Sequence, residues 1–204
     1  MSKYICHLLF IICHYKMDFI DNYLAELSKS VAKLSRDDLM KVCQALMQAW
    51  RDDKIIFIIG NGGSAATASH IMNDFNKLTI VEGKRRFRAW ALTDNVPLIS
   101  AWGNDNTFDW SFSQPLRNFM RKGDYLIVVT TSGNSPNLVD ATRVAREIGV
   151  EKVIGLVGDK GGKIAEMADI VVRFPDENQG RQEDGHVIMN HVIAGYLREW
   201  MKTV

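Results

Sequence analysis

The chain has 204 residues, 47% of them hydrophobic, and a formal net charge of +1. That length suffices for one well-buried domain, and the near-neutral balance offers no electrostatic footprint for nucleic acid or for an anionic membrane surface. The three cysteines, Cys6, Cys13 and Cys43, form no CxxC pair, which argues against a disulfide scaffold and for a reduced, cytoplasmic setting.

Near the N-terminus an apolar run, Ile5 to Cys13, is interrupted by His7. It is too short to span a bilayer, and no small-residue cleavage site follows it. We read residues 1–16 as an extension without a role in the fold, a membrane anchor being the alternative, and residues 17–204 as a single domain. Two amphipathic patterns come next. Phe19, Tyr23, Leu24, Leu27, Val31 and Leu34 recur at helical spacing, Ser35 with Arg36, Asp37 and Asp38 reads as a cap, and Leu39, Val42, Leu46 and Trp50 continue on a second helix. This helical arm, residues 17–53, either covers the core or meets another subunit.

Beyond Lys54 the periodicity predicts strands near 54–59, 87–92, 125–130, 152–157 and 169–174. Helices are expected near 64–78, 96–102, 107–121, 136–148, 162–167 and 182–202. Strands alternating with helices imply an α/β fold, a parallel sheet covered on both faces. Ligands bind such sheets beyond the carboxyl ends of the strands. The residues there are Gly60-Asn61-Gly62-Gly63-Ser64, Thr93-Asp94, Thr130-Thr131-Ser132-Gly133-Asn134-Ser135 and Gly158-Asp159.

The first of these turns satisfies a G-x-G-x-x-A pattern, so a dinucleotide site has to be weighed. That fingerprint expects an acidic residue about 20 residues on, at the end of the second strand, and here the strand ends much later, at Asp94. A tight strand-to-helix turn would also require glycine. The second turn shifts the balance. Its hydroxyls precede Pro136, placed to open a helix, and hydroxyls with free N–H groups at a helix start suit a phosphate monoester. An ordinary N-cap would explain Ser135 but not Thr130, Thr131 and Ser132 as well. Further along the first helix, His70 and Asp74 are neighbours on one face. Alone, that pair would read as a surface interaction. Trp90, Trp102, Trp110 and Trp200 read as core or interface, and Lys84-Arg85-Arg86 as a solvated turn or a phosphate contact.

Together, Gly60-Asn-Gly-Gly-Ser, Ala91-Leu-Thr-Asp, Gly103-Asn-Asp, Thr131-Ser-Gly-Asn-Ser-Pro-Asn and Ile154-Gly-Leu resemble the sugar isomerase (SIS) domain family, over roughly Asp18 to Val204. Within it the chain is most similar to the isomerases that interconvert sedoheptulose 7-phosphate and D-glycero-D-manno-heptose 7-phosphate for lipopolysaccharide heptose biosynthesis. The resemblance implies a three-layer αβα sandwich with a five-stranded parallel, flavodoxin-like sheet. It also implies a cytoplasmic homotetramer with sites between subunits.

Carried over residue by residue, the phosphate site falls on Ser64, Thr130, Thr131, Ser132 and Ser135, and the sugar hydroxyls on Asn61 and Asp94. Gly62, Gly63, Thr93, Asn134 and Glu183 complete the expected substrate-binding set. The resemblance implies zinc held by His70, Asp74, Glu183 and His191, with Asp74 and His191 transferring protons. Asp74 stands where the family has Glu, Glu183 where it has Gln, and Leu78 where an Arg is frequent. His, Asp, Glu and His remain competent zinc ligands, and the extra carboxylate could suit another divalent metal. On a regular helix Glu183 and His191 lie about 80° apart and about 12 Å along the axis, so Glu183 must reach far or lie in a bent first turn. His186, about 140° from His191, reads as a supporting residue. Two alternatives stand beside this reading: a non-catalytic SIS binding protein of the initiator-associating kind, and an isomerase for a different sugar phosphate.

Overall fold

The computed structural model describes residues 3–204, with side chains from Asp18 onward. The expectation that residues 1–16 are an extension falls on residues 1 and 2 and on side chains outside the described ones. Backbone helix runs without a break through α1 (Lys3–Ala32), and α2 (Arg36–Arg51) follows after a short turn. Ser35 caps α2 as its sequence suggests, its hydroxyl accepting a hydrogen bond from the Asp38 N–H at 3.2 Å.

The core alternates strand and helix: β1 (Ile55–Gly60), α3 (Gly63–Asn73), β2 (Arg88–Ala91), α4 (Val96–Asp105), α5 (Ser113–Phe119), β3 (Tyr125–Thr130), α6 (Pro136–Ile148), β4 (Lys152–Gly158), α7 (Gly162–Met167), β5 (Ile170–Phe174) and α8 (Gln179–Met201). The strands form one five-stranded sheet in the order β2-β1-β3-β4-β5, parallel at every pairing. The architecture is the expected three-layer αβα sandwich. Buried on both faces, each strand divides its side chains between two cores. Ile56, Ile58, Ile127 and Leu156 pack with α2, α3 and α8. Phe57, Ile59, Val128 and Val157 pack with α5, α6 and α7.

Two helical expectations change. The helix after β1 does not remain α through residue 78: at Asp74–Leu78 it widens into a π turn, the Thr79 N–H reaching the Asp74 carbonyl at 3.2 Å. The widening lets Asn76 face the edge strand β2, where its amide donates to the Ala89 carbonyl at 2.8 Å and accepts from the Ala89 N–H at 3.1 Å. The helix expected over 107–121 is split into a 3₁₀ turn, Phe108–Trp110, and α5. Of the basic run, Arg85 does not approach the site. It lies over the Trp50 ring, 4.8 Å from its centroid, and donates to the carbonyls at the end of α2. Among the described residues no helix is long and apolar enough to cross a membrane.

Candidate functional site

The order of the sheet places the crevice. β1 and β3 are neighbours, yet α3 leaves toward one face and α6 toward the other, so the space beyond their carboxyl ends stays open. A cavity of about 320 Å³ occupies it, lined by Asn61, Gly62, Gly63 and Ser64 from the first turn and Thr130, Thr131, Ser132 and Ser135 from the second. Gln179 and Glu183 close it from the start of α8. Two turns far apart in sequence therefore share one space.

Each turn presents donors. No side chain caps the start of α3, so the first N–H groups of that helix are free for an anion, favoured by the positive end of its dipole. Gly62 has φ +54°, a conformation few other residues accept. At Gly63 a side chain would strike Glu183, whose Oε2 stands 2.5 Å from where a Cβ would sit. In the second turn the hydroxyls divide their work. Thr130 accepts from the Gly133 N–H at 3.1 Å and Ser132 from the Asn134 N–H at 3.2 Å, shaping the turn. Ser135 precedes α6 without a side-chain capping bond, and Pro136 opens the helix as expected.

Farther along α3 a second group assembles. His70, Asp74 and His191 bring one donor atom each within 4.8 Å of one another. The Nε2 atoms of His70 and His191 are 3.3 Å apart. Asp74 Oδ2 is 3.5 Å from the first and 3.9 Å from the second. Donors bound to one zinc at tetrahedral angles and about 2.0–2.1 Å would stand about 3.4 Å apart, so the group matches one face of such a tetrahedron. The His70 and His191 side chains are 40% and 54% exposed and that of Asp74 only 9%, which leaves the fourth position toward solvent. The residues present fit a divalent metal.

Glu183, expected as the fourth ligand, is not in this group. It sits beside Gly63 and accepts from the Gln179 amide at 3.3 Å, since eight residues of continuous α-helix, about 12 Å of rise, separate it from His191. Its carboxylate also borders the smaller hollow that reaches His70, and so stands between the two halves of the site. Asn61 lines the cavity, yet both ends of its amide are taken by Asn137, at 2.8 and 2.9 Å. Thr93 and Asp94 lie across from Ser69, whose hydroxyl donates to Asp94 and meets Thr93 at 3.2 Å. Asn134 braces the second turn: its amide donates to the Ser132 carbonyl at 2.9 Å and accepts from the Lys163 N–H at 3.1 Å.

His186 is fully buried. Burial pushes its pKa down to about 4; the nearby Val157 backbone and Glu183 oppose that weakly, and neither ring nitrogen meets hydrogen-bond geometry with any described residue. Residues not anticipated include Asn137 and Asn190. Asn137 closes the Thr131-to-Asn137 motif without having been given a role, and Asn190 offered only the signal of an amide among apolar helix neighbours.

A parallel sheet of this order with hydroxyl- and glycine-lined turns at its switch point defines the class. The SIS domain family matches residues 18–158, and the chain belongs to that family, among its phosphoheptose isomerases. The phosphoheptose isomerase of Burkholderia pseudomallei (strain 1710b) is 30% identical over 187 residues, covering 89% of this chain and 94% of the relative. That of Aliarcobacter butzleri is 34% identical over 181 residues, covering 88% and 95%. Among solved structures, the phosphoheptose isomerase of Neisseria gonorrhoeae superposes with a TM-score of 0.81 at 30% identity, covering 89% of this chain and 97% of that one. The Francisella tularensis enzyme gives 0.83 at 26% identity, covering 90% and 98%.

Proposed function

We propose that this chain interconverts sedoheptulose 7-phosphate and D-glycero-D-manno-heptose 7-phosphate, an aldose–ketose isomerisation assisted by zinc. The observation that carries the reading is the convergence of His70, Asp74 and His191 two turns along α3 from a cavity lined by the two glycine- and hydroxyl-bearing turns. The N–H groups at the start of α3 and the hydroxyls of Ser64, Thr131 and Ser135 hold the phosphate, and that remote binding orients the reacting end. Glu183, which closes the cavity, and Asp94, beside Ser69 on α3, are the groups suited to the sugar hydroxyls.

His70, Asp74 and His191 would hold the metal, whose chemistry is to stabilise negative charge as it develops on the sugar oxygens. Two imidazoles and one carboxylate suit zinc better than magnesium or calcium. Isomerisation needs a proton taken from the carbon beside the carbonyl and one returned to its neighbour. Asp74 has an oxygen for each duty: Oδ2 faces the imidazoles, while Oδ1 accepts from the Asn73 amide, at 3.2 Å, and from no other described residue. We assign the proton transfer between carbons to Oδ1 and proton exchange with the substrate oxygens to His191 Nδ1, the ring nitrogen that the metal would leave free. Exposed apolar residues on α1 (Phe19, Ile20, Leu24) and on α8 (Val192, Tyr196) support association between subunits, in line with the expected homotetramer.

Treatment with a chelator is expected to abolish turnover of sedoheptulose 7-phosphate, and zinc to restore it. His191→Ala should lower kcat by about 100-fold or more, read by NMR of the sugar products. Full activity in both the chelated enzyme and the variant would refute the reading.

A further inference from the structure

Asp74 is held by a residue that neither the motifs nor the donor group includes. Asn190 is 1% exposed, and its Nδ2 donates to Asp74 Oδ2 at 2.7 Å. The orientation of the amide follows from chemistry: turned over, it would set an oxygen against a carboxylate oxygen at the same short distance. In the orientation present, Asn190 Oδ1 is buried with no hydrogen-bond partner among the described residues. An apolar residue there would avoid that cost, since buried polar atoms are nearly always paired. The amide is placed for the one bond it makes.

That bond falls on the oxygen that faces both His70 Nε2 and His191 Nε2. Asp74 also opens the π turn, at the point where α3 gives way to the wider helix. We infer that Asn190 is a positioning residue for the metal: it aims the Asp74 carboxylate at the point the two imidazoles share. The arrangement couples α8 to α3 through one buried hydrogen bond, one residue before the imidazole that α8 itself contributes. The inference rests on the metal reading above.

The test is a zinc titration against a competing chelating dye, on wild-type protein and on Asn190→Leu and Asn190→Ala, with metal-free melting temperatures recorded for all three. Outer-shell partners of ligands are typically worth about 10–100-fold in metal affinity, and a loss of that size is expected in both variants. A residue that only supports the fold would change the metal-free melting temperature and leave the zinc affinity of the folded protein as it was. Unchanged affinity in a folded variant beside tight wild-type binding overturns the positioning role alone. A wild-type protein that binds no zinc overturns the metal reading and this inference with it. Should leucine prevent folding, the alanine variant carries the same comparison.

Discussion

His186 is an imidazole sealed in the core beneath the site, and this makes the fold sensitive to acid. Its pKa in the folded protein is about 4, whereas an unfolded chain takes up the proton near pH 6.5. Between those two values the unfolded state binds more protons than the folded one, so stability falls as the pH falls, by up to about 3 kcal/mol across that window. His186→Leu is expected to flatten the pH dependence of the melting temperature between pH 6.5 and 4, while the wild type loses stability there. Equal slopes in the two proteins would refute this. At the same scale, the gathering of Thr130, Thr131, Ser132 and Ser135 around one cavity was legible because they follow a strand and precede a helix start marked by Pro136. The pairing of Asn61 with Asn137, and of Asp74 with Asn190, was not. Each joins residues 76 or 116 positions apart, and no local pattern encodes which buried amide meets which partner.

The start of α8 is the element on which both halves of the site depend, and α1 fastens it. Asp176, just ahead of that helix, is buried, which by itself would raise its pKa; the Arg181 guanidinium, the Ser30 hydroxyl and the Asn178 N–H outweigh burial and hold it near 2. Ser30 on α1 donates to Asp176 at 2.7 Å, Arg181 on α8 donates to the same oxygen at 2.8 Å, and the Tyr23 hydroxyl donates to Asp184 at 2.6 Å. Because the pKa of Asp176 is depressed on folding, its contribution is full above about pH 4 and lost as the pH falls toward 2. Asp176→Ala removes charge-assisted bonds and should cost about 2 kcal/mol, read in denaturant unfolding. It should also raise KM for the sugar phosphate, because Gln179 and Glu183 lose their footing. An unaltered KM would mean that α1 merely covers the core. The element pattern was largely legible: apolar runs gave the strands, and Pro136 and Ser35 gave helix starts. The π turn at Asp74 was not, since its cause is tertiary. Asn76 turns to satisfy the backbone of β2, a strand that lies 12 residues downstream of it.

At the scale of the molecule, the fold sets a length. α3 and α8 run in the same direction from the crevice, with Gly63 beside Glu183 at one end and His70 beside His191 at the other. From Gly63 to His70 is roughly 10 Å by the rise of an α-helix. The two glycine- and hydroxyl-lined turns and the imidazole–carboxylate group are therefore separated by about two turns of helix. A substrate whose phosphate sits in the first cannot present its carbonyl to the second unless its carbon chain spans that gap. Extended six- and seven-carbon sugar phosphates have the length, and a triose phosphate does not. Binding energy spent on the phosphate then assists the reaction only when the chain is long enough to convert it into orientation at the far end. Across a series of ketose phosphates from three to seven carbons, each phosphorylated at its last carbon, kcat/KM is expected to rise with length and to be greatest for sedoheptulose 7-phosphate. The short members should still bind, as competitive inhibitors held by their phosphates. Turnover of dihydroxyacetone phosphate at a rate near that of the heptulose would show that the two groups do not act on one substrate.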